Sequence, residues 1–201
     1  METKDNFFEG VYQNAKENLS SIPWARLAPN PYLEQFLKEE GPVVGKKALV
    51  IGCGLGDDAV ALAKMGYDTV AIDIAPSAID LAIERFPQSG ICFLPQDIFA
   101  LGHSTERYDF IYEGLTIQSL PRSERKNLVK IISNLVARDG KLLVYAHGQE
   151  DEDDLGGPPW PLYRREFDWF IDKGFSESYR HEKDESKDIA AFHCCILYER
   201  S

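Results

Sequence analysis

Short unbroken apolar runs alternate along this chain with stretches in which apolar positions recur every three or four residues. The runs at 47–51, 68–73, 91–94, 109–113 and 141–146 predict buried strands. The helical spacing between them predicts helices over 57–65, over the segment that Pro76 opens and Pro87 closes, and over about 122–137. In the last of these, Leu128, Val129, Ile131, Ile132, Leu135 and Val136 form the buried face. A further helix over about 164–173 carries Phe167, Phe170 and Ile171 and is stopped by Gly174. Two β-rich runs, 175–182 and 189–198, are joined by a charged turn and predict an antiparallel hairpin at a sheet edge. Successive strand–helix units imply an α/β fold: a Rossmann-like, seven-stranded, mostly parallel sheet with helices on both faces.

Two helices precede the first strand. Over 5–19, Phe7, Phe8, Val11, Tyr12, Ala15 and Leu19 share one face. A proline-rich loop carrying Trp24 follows. Asn30-Pro31 then reads as an N-cap and first helical residue before the stripe Leu33, Phe36, Leu37. Residues 1–40 are therefore expected to be a helical lid on a core over 46–201, all within one domain.

The chemistry gathers where the first strand ends. Ala48 to Ile51 stops at three glycines in alternate positions, Gly52, Gly54 and Gly56, and Asp57-Asp58 open the next helix. Glycines there allow positive φ and let a ligand approach bare backbone. The second strand ends in Asp73, 21 residues after Gly52, near the spacing at which an acid meets a ribose. A dinucleotide site wants G-x-G-x-x-G, but Asp57 holds its third-glycine position. An aspartate suits the helix dipole yet would repel a pyrophosphate at that end. A cofactor with a ribose, no phosphate and a cationic amino-acid tail fits better, and S-adenosyl-L-methionine (SAM) is that molecule. Gly52, Cys53, Gly54, Gly56, Asp73 and Ile74 form the expected binding set. The competing readings are a glycine turn that binds nothing, a non-catalytic SAM or nucleoside-binding module, and a nicotinamide-dependent oxidoreductase.

Ligands in open α/β sheets bind outside the carboxyl ends of the strands, and this selects further residues. Asp97 ends the third strand, placed either to accept from an adenine amino group, with Ile98 on the ring, or to cap the following turn. Glu113 ends the fourth strand and suits an ammonium. Around the acceptor the expected rim is Trp24, Tyr112, Thr116, His147 and Trp160. His147, just past the fifth strand, is the histidine placed to take a proton from an acceptor, and a solvated loop histidine is its plainer reading. The catalytic candidates are thus His147 and Glu113.

Composition narrows the partners. The 201 residues carry a net charge of −11, so counterion release on nucleic acid offers nothing and an anionic membrane is a poor match. The expected partner is a small-molecule methyl acceptor, with no nucleic acid, no membrane, and a monomer or weak homodimer. No cationic segment followed by an apolar one opens the chain, so no signal peptide is expected. The four cysteines show no metal spacing and fit reduced thiols in a cytoplasm. The run Glu150 to Asp154 lacks the spaced ligands and turn glycine of a calcium loop, and no metal is expected.

This plan, with this glycine pattern, resembles the class I SAM-dependent methyltransferases, and more narrowly the thiopurine S-methyltransferase and thiol/halide methyltransferase group. The residues that carry the likeness are Ile22-Pro23-Trp24 with Pro29 and Pro31, Leu49 to Ala59, Tyr108 to Glu113, Leu120 to Arg125, and Gly157-Pro158-Pro159. The resemblance implies the fold, SAM as cofactor, Trp24 in a segment over that cofactor, and direct in-line methyl transfer to a thiol, thiopurine or halide. Gly114 departs from the group, which often has a larger side chain there, near the substrate.

Overall fold

A computed structural model describes residues 4–150, 157, 159–184 and 192–201. Residues 151–154 of the acidic run, Pro158, and 185–191 of the expected hairpin lie outside the described residues. The chain divides into two compact units, 1–100 and 101–201.

The first unit holds α1 (Lys4–Asn14), α2 (Pro31–Glu40), β1 (Lys47–Ile51), α3 (Asp57–Lys64), β2 (Asp68–Asp73), α4 (Pro76–Arg85) and β3 (Cys92–Pro95). β2 lies between β1 and β3, and both pairings are parallel. Ala48, Leu49, Val50 and Ile51 of β1 are all buried, as expected of a parallel strand covered on both faces. The register pairs Ile51 with Ile72 and Asp73 with Pro95, so the carboxyl ends of the three strands fall together. Asn30 caps α2 by accepting from the Tyr32 N–H at 2.9 Å, and Pro31 is its first residue.

The second unit holds β4 (Tyr108–Gly114), α5 (Arg122–Leu135), β5 (Val136–Gln149), β6 (Leu162–Tyr163), α6 (Arg164–Phe167), β7 (Phe175–Asp184) and β8 (Phe192–Arg200). Within it the order is β4-β5-β8-β7. β4 and β5 run parallel, while β8 is antiparallel to both β5 and β7. One face of β8 packs on the helical segment through Phe167–Phe192 and Phe170–Tyr198 ring contacts. Beneath α5, the buried Arg125 guanidinium holds Glu166 at 2.8 Å and donates to the Trp160 and Leu120 carbonyls.

Four expectations change. Seven strands are expected and eight are described; the added one is β6, which pairs with the end of β5 at Gly148↔Leu162. The Asp139-Gly140 turn does not precede β5 but lies inside it: Asp139 takes φ 59°, and the pairing with β4 shifts register between Tyr108 and Phe110. The helix expected over 5–19 stops at Asn14, with a separate 3-10 turn over Leu19–Ser21, where the Ser21 hydroxyl donates to the Asn18 carbonyl at 2.7 Å. The helix expected over 164–173 becomes α6 and a 3-10 turn over Asp168–Lys173. The buried Tyr198 hydroxyl donates to the Phe167 carbonyl at 2.7 Å, at the point where the α-helical pattern ends.

Candidate active site

In the first unit the turn after β1 is built from backbone that other side chains avoid. Gly52, Gly54 and Gly56 have φ of 64°, 49° and 86°. The Cys53 N–H ties the turn to β2 through the Ile72 carbonyl at 2.9 Å. The glycines then serve different ends. A Cβ on Gly54 would come 2.9 Å from the Tyr12 hydroxyl, above the turn. A Cβ on Gly56 would come 3.1 Å from Ala82 of α4 and from the Phe93 ring of β3, so this glycine permits close helix–strand packing. Gly52 is exposed.

Asp73 closes the turn. Its Oδ2 accepts from the Gly54 N–H at 2.9 Å and its Oδ1 from the Ala75 N–H at 3.0 Å. Burial holds its carboxyl above the usual aspartate range, although those backbone N–H groups oppose the shift. The side chain is thus a structural clamp on the glycine turn. A carboxylate has about four lone-pair positions, so it keeps capacity for hydroxyls. Ile74, next along, is half-buried. The Cys53 thiol is buried and held protonated, first by desolvation and then by the Asp73 charge, so it is no nucleophile.

Asp57 and Asp58 flank the same turn and are not bare charges. Arg85 of α4 pairs with Asp57 through both nitrogens, at 2.6 and 2.8 Å, and also donates to the Leu55 carbonyl at 2.5 Å. The repulsion expected of Asp57 toward a pyrophosphate is therefore largely neutralised, and that reason for preferring a phosphate-free cofactor weakens. Asp58 accepts from the Asn30 N–H at 2.6 Å, and burial pushes its carboxyl up to about 6.

The N-terminal helix lies on α4. Glu9 accepts from the Ser77 N–H at 3.0 Å and the Ser77 hydroxyl at 2.6 Å, capping α4 where Ala75 has no side chain able to do so. The Tyr12 hydroxyl accepts from Trp24 Nε1 at 2.9 Å, and Trp24 packs edge-on against Phe8 and Tyr12. Tyr12, Ala15, Ile22, Leu55, Ala75, Ala78 and Leu81 make one apolar cluster. Burial, with the Asp73 charge second, opposes ionisation of Tyr12. Trp24 therefore joins the glycine turn, but through Tyr12, which the sequence reading placed only on a buried helical face.

Asp97 and Ile98 follow β3. Asp97 is exposed, and its Oδ1 accepts from the Phe99 N–H at 2.8 Å, which is the turn-capping reading; its other oxygen has no partner among the described residues. Ile98 is buried. The Gln96 N–H donates to the Asp73 carbonyl at 2.8 Å, so the two strand ends are tied.

In the second unit, Glu113 at the end of β4 is fully buried. Its Oε1 accepts from the Thr116 and Ile117 N–H groups at 2.6 and 2.9 Å, which folds the chain back through Leu115 at φ 67°. Its Oε2 is buried and, among the described residues, has no partner. Desolvation pushes this carboxyl up to about 7 against those N–H groups and the Arg125 charge. A Cβ on Gly114 would come 2.8 Å from the Tyr112 hydroxyl, so that hydroxyl occupies the space a larger side chain here would need. His147 on β5 is half-buried; its N–H donates to Gln118 Oε1 at 2.7 Å, and the Trp160 N–H donates to the Gln118 carbonyl at 2.9 Å. His147 stacks on His193, which the sequence reading did not single out: the rings lie 4.2 Å apart at 8°. The antiparallel register that pairs them is not legible before the strands are assembled.

Among the described residues no group of His, Cys, Asp and Glu is arranged to hold a metal, and no helix is long and apolar enough to cross a membrane. Bare glycine backbone, an acid at the end of β2 and a second at the end of β3 fit a ribose-bearing cofactor. The fold and this turn define a class I SAM-dependent methyltransferase. The family model for thiopurine S-methyltransferase matches residues 13–193, and the chain belongs to that family. It is 29% identical over 158 residues to thiocyanate methyltransferase 1 of Brassica oleracea, covering 77% of this chain and 68% of the relative. It is 27% identical over 152 residues to the probable thiol methyltransferase 2 of Arabidopsis thaliana, covering 74% and 66%. Among solved structures it is similar to the N-methyltransferase NodS of Bradyrhizobium japonicum WM9 in complex with S-adenosyl-L-homocysteine: TM-score 0.73, 20% identity, 94% of this chain and 98% of that one.

Proposed function

We propose that this methyltransferase acts on a small-molecule acceptor, a thiol, thiopurine or halide, in a reducing cytoplasm. The observation that carries the cofactor half is Asp73 clamped to the Gly54 N–H beside exposed Gly52. Gly52, Cys53 and Gly54 would face the cofactor with bare backbone. Asp73 would accept from the ribose hydroxyls, with Ile74 beside it. Asp97 and Ile98 would take the adenine. Tyr12 and Trp24 would cover the turn. The partnerless Oε2 of Glu113 suits an ammonium or another hydrogen-bond donor. When bound, SAM supplies an already activated methyl group, so the chain's own work is to orient the acceptor and exclude water.

The acceptor class rests on family membership and on the thiocyanate and thiol activities that name the two plant relatives. The four free cysteines support a reducing compartment. The net charge of −11 supports a small acceptor over nucleic acid or an anionic membrane. A monomer or weak homodimer is the expected state.

Because Arg85 neutralises Asp57, a nicotinamide dinucleotide belongs in the test. Calorimetric titration with SAM, S-adenosyl-L-homocysteine and NADH should give micromolar-range binding for the first two and none for NADH. NADH binding without SAM binding would overturn the proposal. SAM binding without turnover of any thiol, thiopurine or halide would leave a binding module instead of an enzyme.

A further inference from the structure

We infer that the Tyr12 hydroxyl is the donor that recognises the carboxylate of the cofactor's amino-acid tail. The inference rests on the SAM reading above and adds a residue of α1 to the binding set.

The glycine turn has little of its own to offer an anion. The Cys53 N–H is taken by the Ile72 carbonyl, the Gly54 N–H by Asp73 and the Gly56 N–H by the Cys53 carbonyl. Arg85, the cation beside the turn, is held by Asp57 and the Leu55 carbonyl. Asp58 and Asp73 are acceptors. A carboxylate bound here needs a donor from outside the turn, because an anion taken from water without one is strongly disfavoured.

Tyr12 supplies that donor. An indole N–H can only donate, so in the 2.9 Å contact with Trp24 it is the Tyr12 oxygen that accepts. The hydroxyl's own hydrogen has no acceptor among the described residues, on a side chain that is 3% exposed. Burial first, and the Asp73 charge second, keep that hydrogen on the oxygen. A buried donor left without an acceptor is unfavourable, and a ligand that accepts from it relieves this.

The hydroxyl is also held in place. Glu9, three residues earlier on the same helical face, fixes α1 to the start of α4 through Ser77. Edge-on packing with Trp24 holds the ring. The oxygen ends 2.9 Å from where a Cβ on Gly54 would stand, so the bare glycine is what admits it. The Gly54 N–H is bound to Asp73, so the hydroxyl and the acid proposed for the ribose meet at one residue of the turn.

Chemistry then selects the group. Asp73 has lone pairs to offer ribose hydroxyls and none of its own hydrogens to give. Of the two charged groups on the tail, the ammonium carries only donors and cannot receive the Tyr12 hydrogen, whereas the carboxylate can. A neutral donor also suits this position, since a cation beside Asp73 would pair with the acid that the ribose needs.

Calorimetric titration of the full-length chain tests this with three probes. They are S-adenosyl-L-homocysteine, its decarboxylated analogue, which keeps the ammonium, and 5′-methylthioadenosine, which has no tail. Tyr12→Phe should weaken binding of the first by about tenfold, the cost of one hydrogen bond to a charged group, and leave the other two within about twofold. An equal loss for all three would place the hydroxyl on the ribose or in support of the turn, and overturns the inference. Unchanged binding of S-adenosyl-L-homocysteine overturns it too. Tyr12→Phe strands the Trp24 N–H, so the comparison is repeated between Trp24→Phe and the double variant Tyr12→Phe, Trp24→Phe, where no donor is orphaned. The same selective loss is expected there, and its absence counts against Tyr12. Wild-type protein that binds none of the probes sinks the SAM reading itself. Wild-type protein that binds S-adenosyl-L-homocysteine and its decarboxylated analogue equally well overturns the inference and leaves that reading standing.

Discussion

Glu113 shows what burial does to one carboxyl. Desolvation outweighs two N–H bonds and the Arg125 charge, so the group titrates near neutrality, at about 7, in the folded chain, against a reference value of 4.5 when unfolded. The folded state therefore binds more protons than the unfolded state between those values. The stabilisation is complete below about pH 4.5 and is lost as pH rises through 7, on the order of 3 kcal/mol in all. Asp58 and Asp73 are raised too and add slopes of the same sign. Glu113→Gln isolates the first contribution. Denaturant unfolding should show the variant at least as stable as wild type at pH 8, with a shallower fall between pH 5 and 8. A variant that keeps the wild-type slope would contradict this. Arg85 makes a second case. Replacing it with Gln removes a partly buried pair and a bond to the Leu55 carbonyl, and should cost about 1–3 kcal/mol in unfolding experiments, with weaker SAM binding.

Several of these residues were legible in the chain and several were not. Gly52, Gly54 and Asp73 announced themselves by spacing. Asp73 fills a structural clamp that spacing alone could not separate from a ribose contact. Gly56 reads like its neighbours, yet its contacts are with Ala82 and Phe93, which come from later elements. Arg85 looks like an ordinary basic residue in a last helical turn, and only the folded α4 brings it to Asp57. Glu9 and Tyr12 read as one polar and one apolar position on an amphipathic helix. Ser77, which Glu9 caps, and Gly54, over which the Tyr12 hydroxyl sits, lie far along the chain.

At the scale of elements, the alternation of strands and helices was plain in the pattern. The boundaries moved where a side chain competes with the backbone, as Tyr198 does at Phe167. β6, two residues long, carries no periodicity to detect. α1 is the element with the most to test. It is held to α4 by the Glu9–Ser77 contacts and over the glycine turn by Tyr12 and Trp24. We predict that it orders further over bound cofactor and excludes water from the methyl group. Bound SAM should slow proteolysis within residues 1–28. Glu9→Ala should speed it, since loss of a cap costs about 1 kcal/mol. Equal cleavage with and without SAM would remove the lid from the account. A chain lacking 1–28 should keep some SAM binding and lose nearly all transfer.

For the whole molecule, the net charge of −11 repels anions, so an anionic acceptor would have to be held by local donors. Its stability should respond to ligand by mass action: SAM at a hundredfold excess over Kd should add about 2.7 kcal/mol. The most direct measurement is transfer of label from methyl-labelled SAM to thiocyanate, iodide, benzenethiol and a thiopurine by the purified full-length chain. A labelled methylated product is expected, with thiocyanate or the acidic thiol among the acceptors used, and loss of transfer in Asp73→Ala in step with lost SAM affinity, by a factor on the order of 10–100. Folded protein that binds SAM and labels none of these acceptors would contradict it.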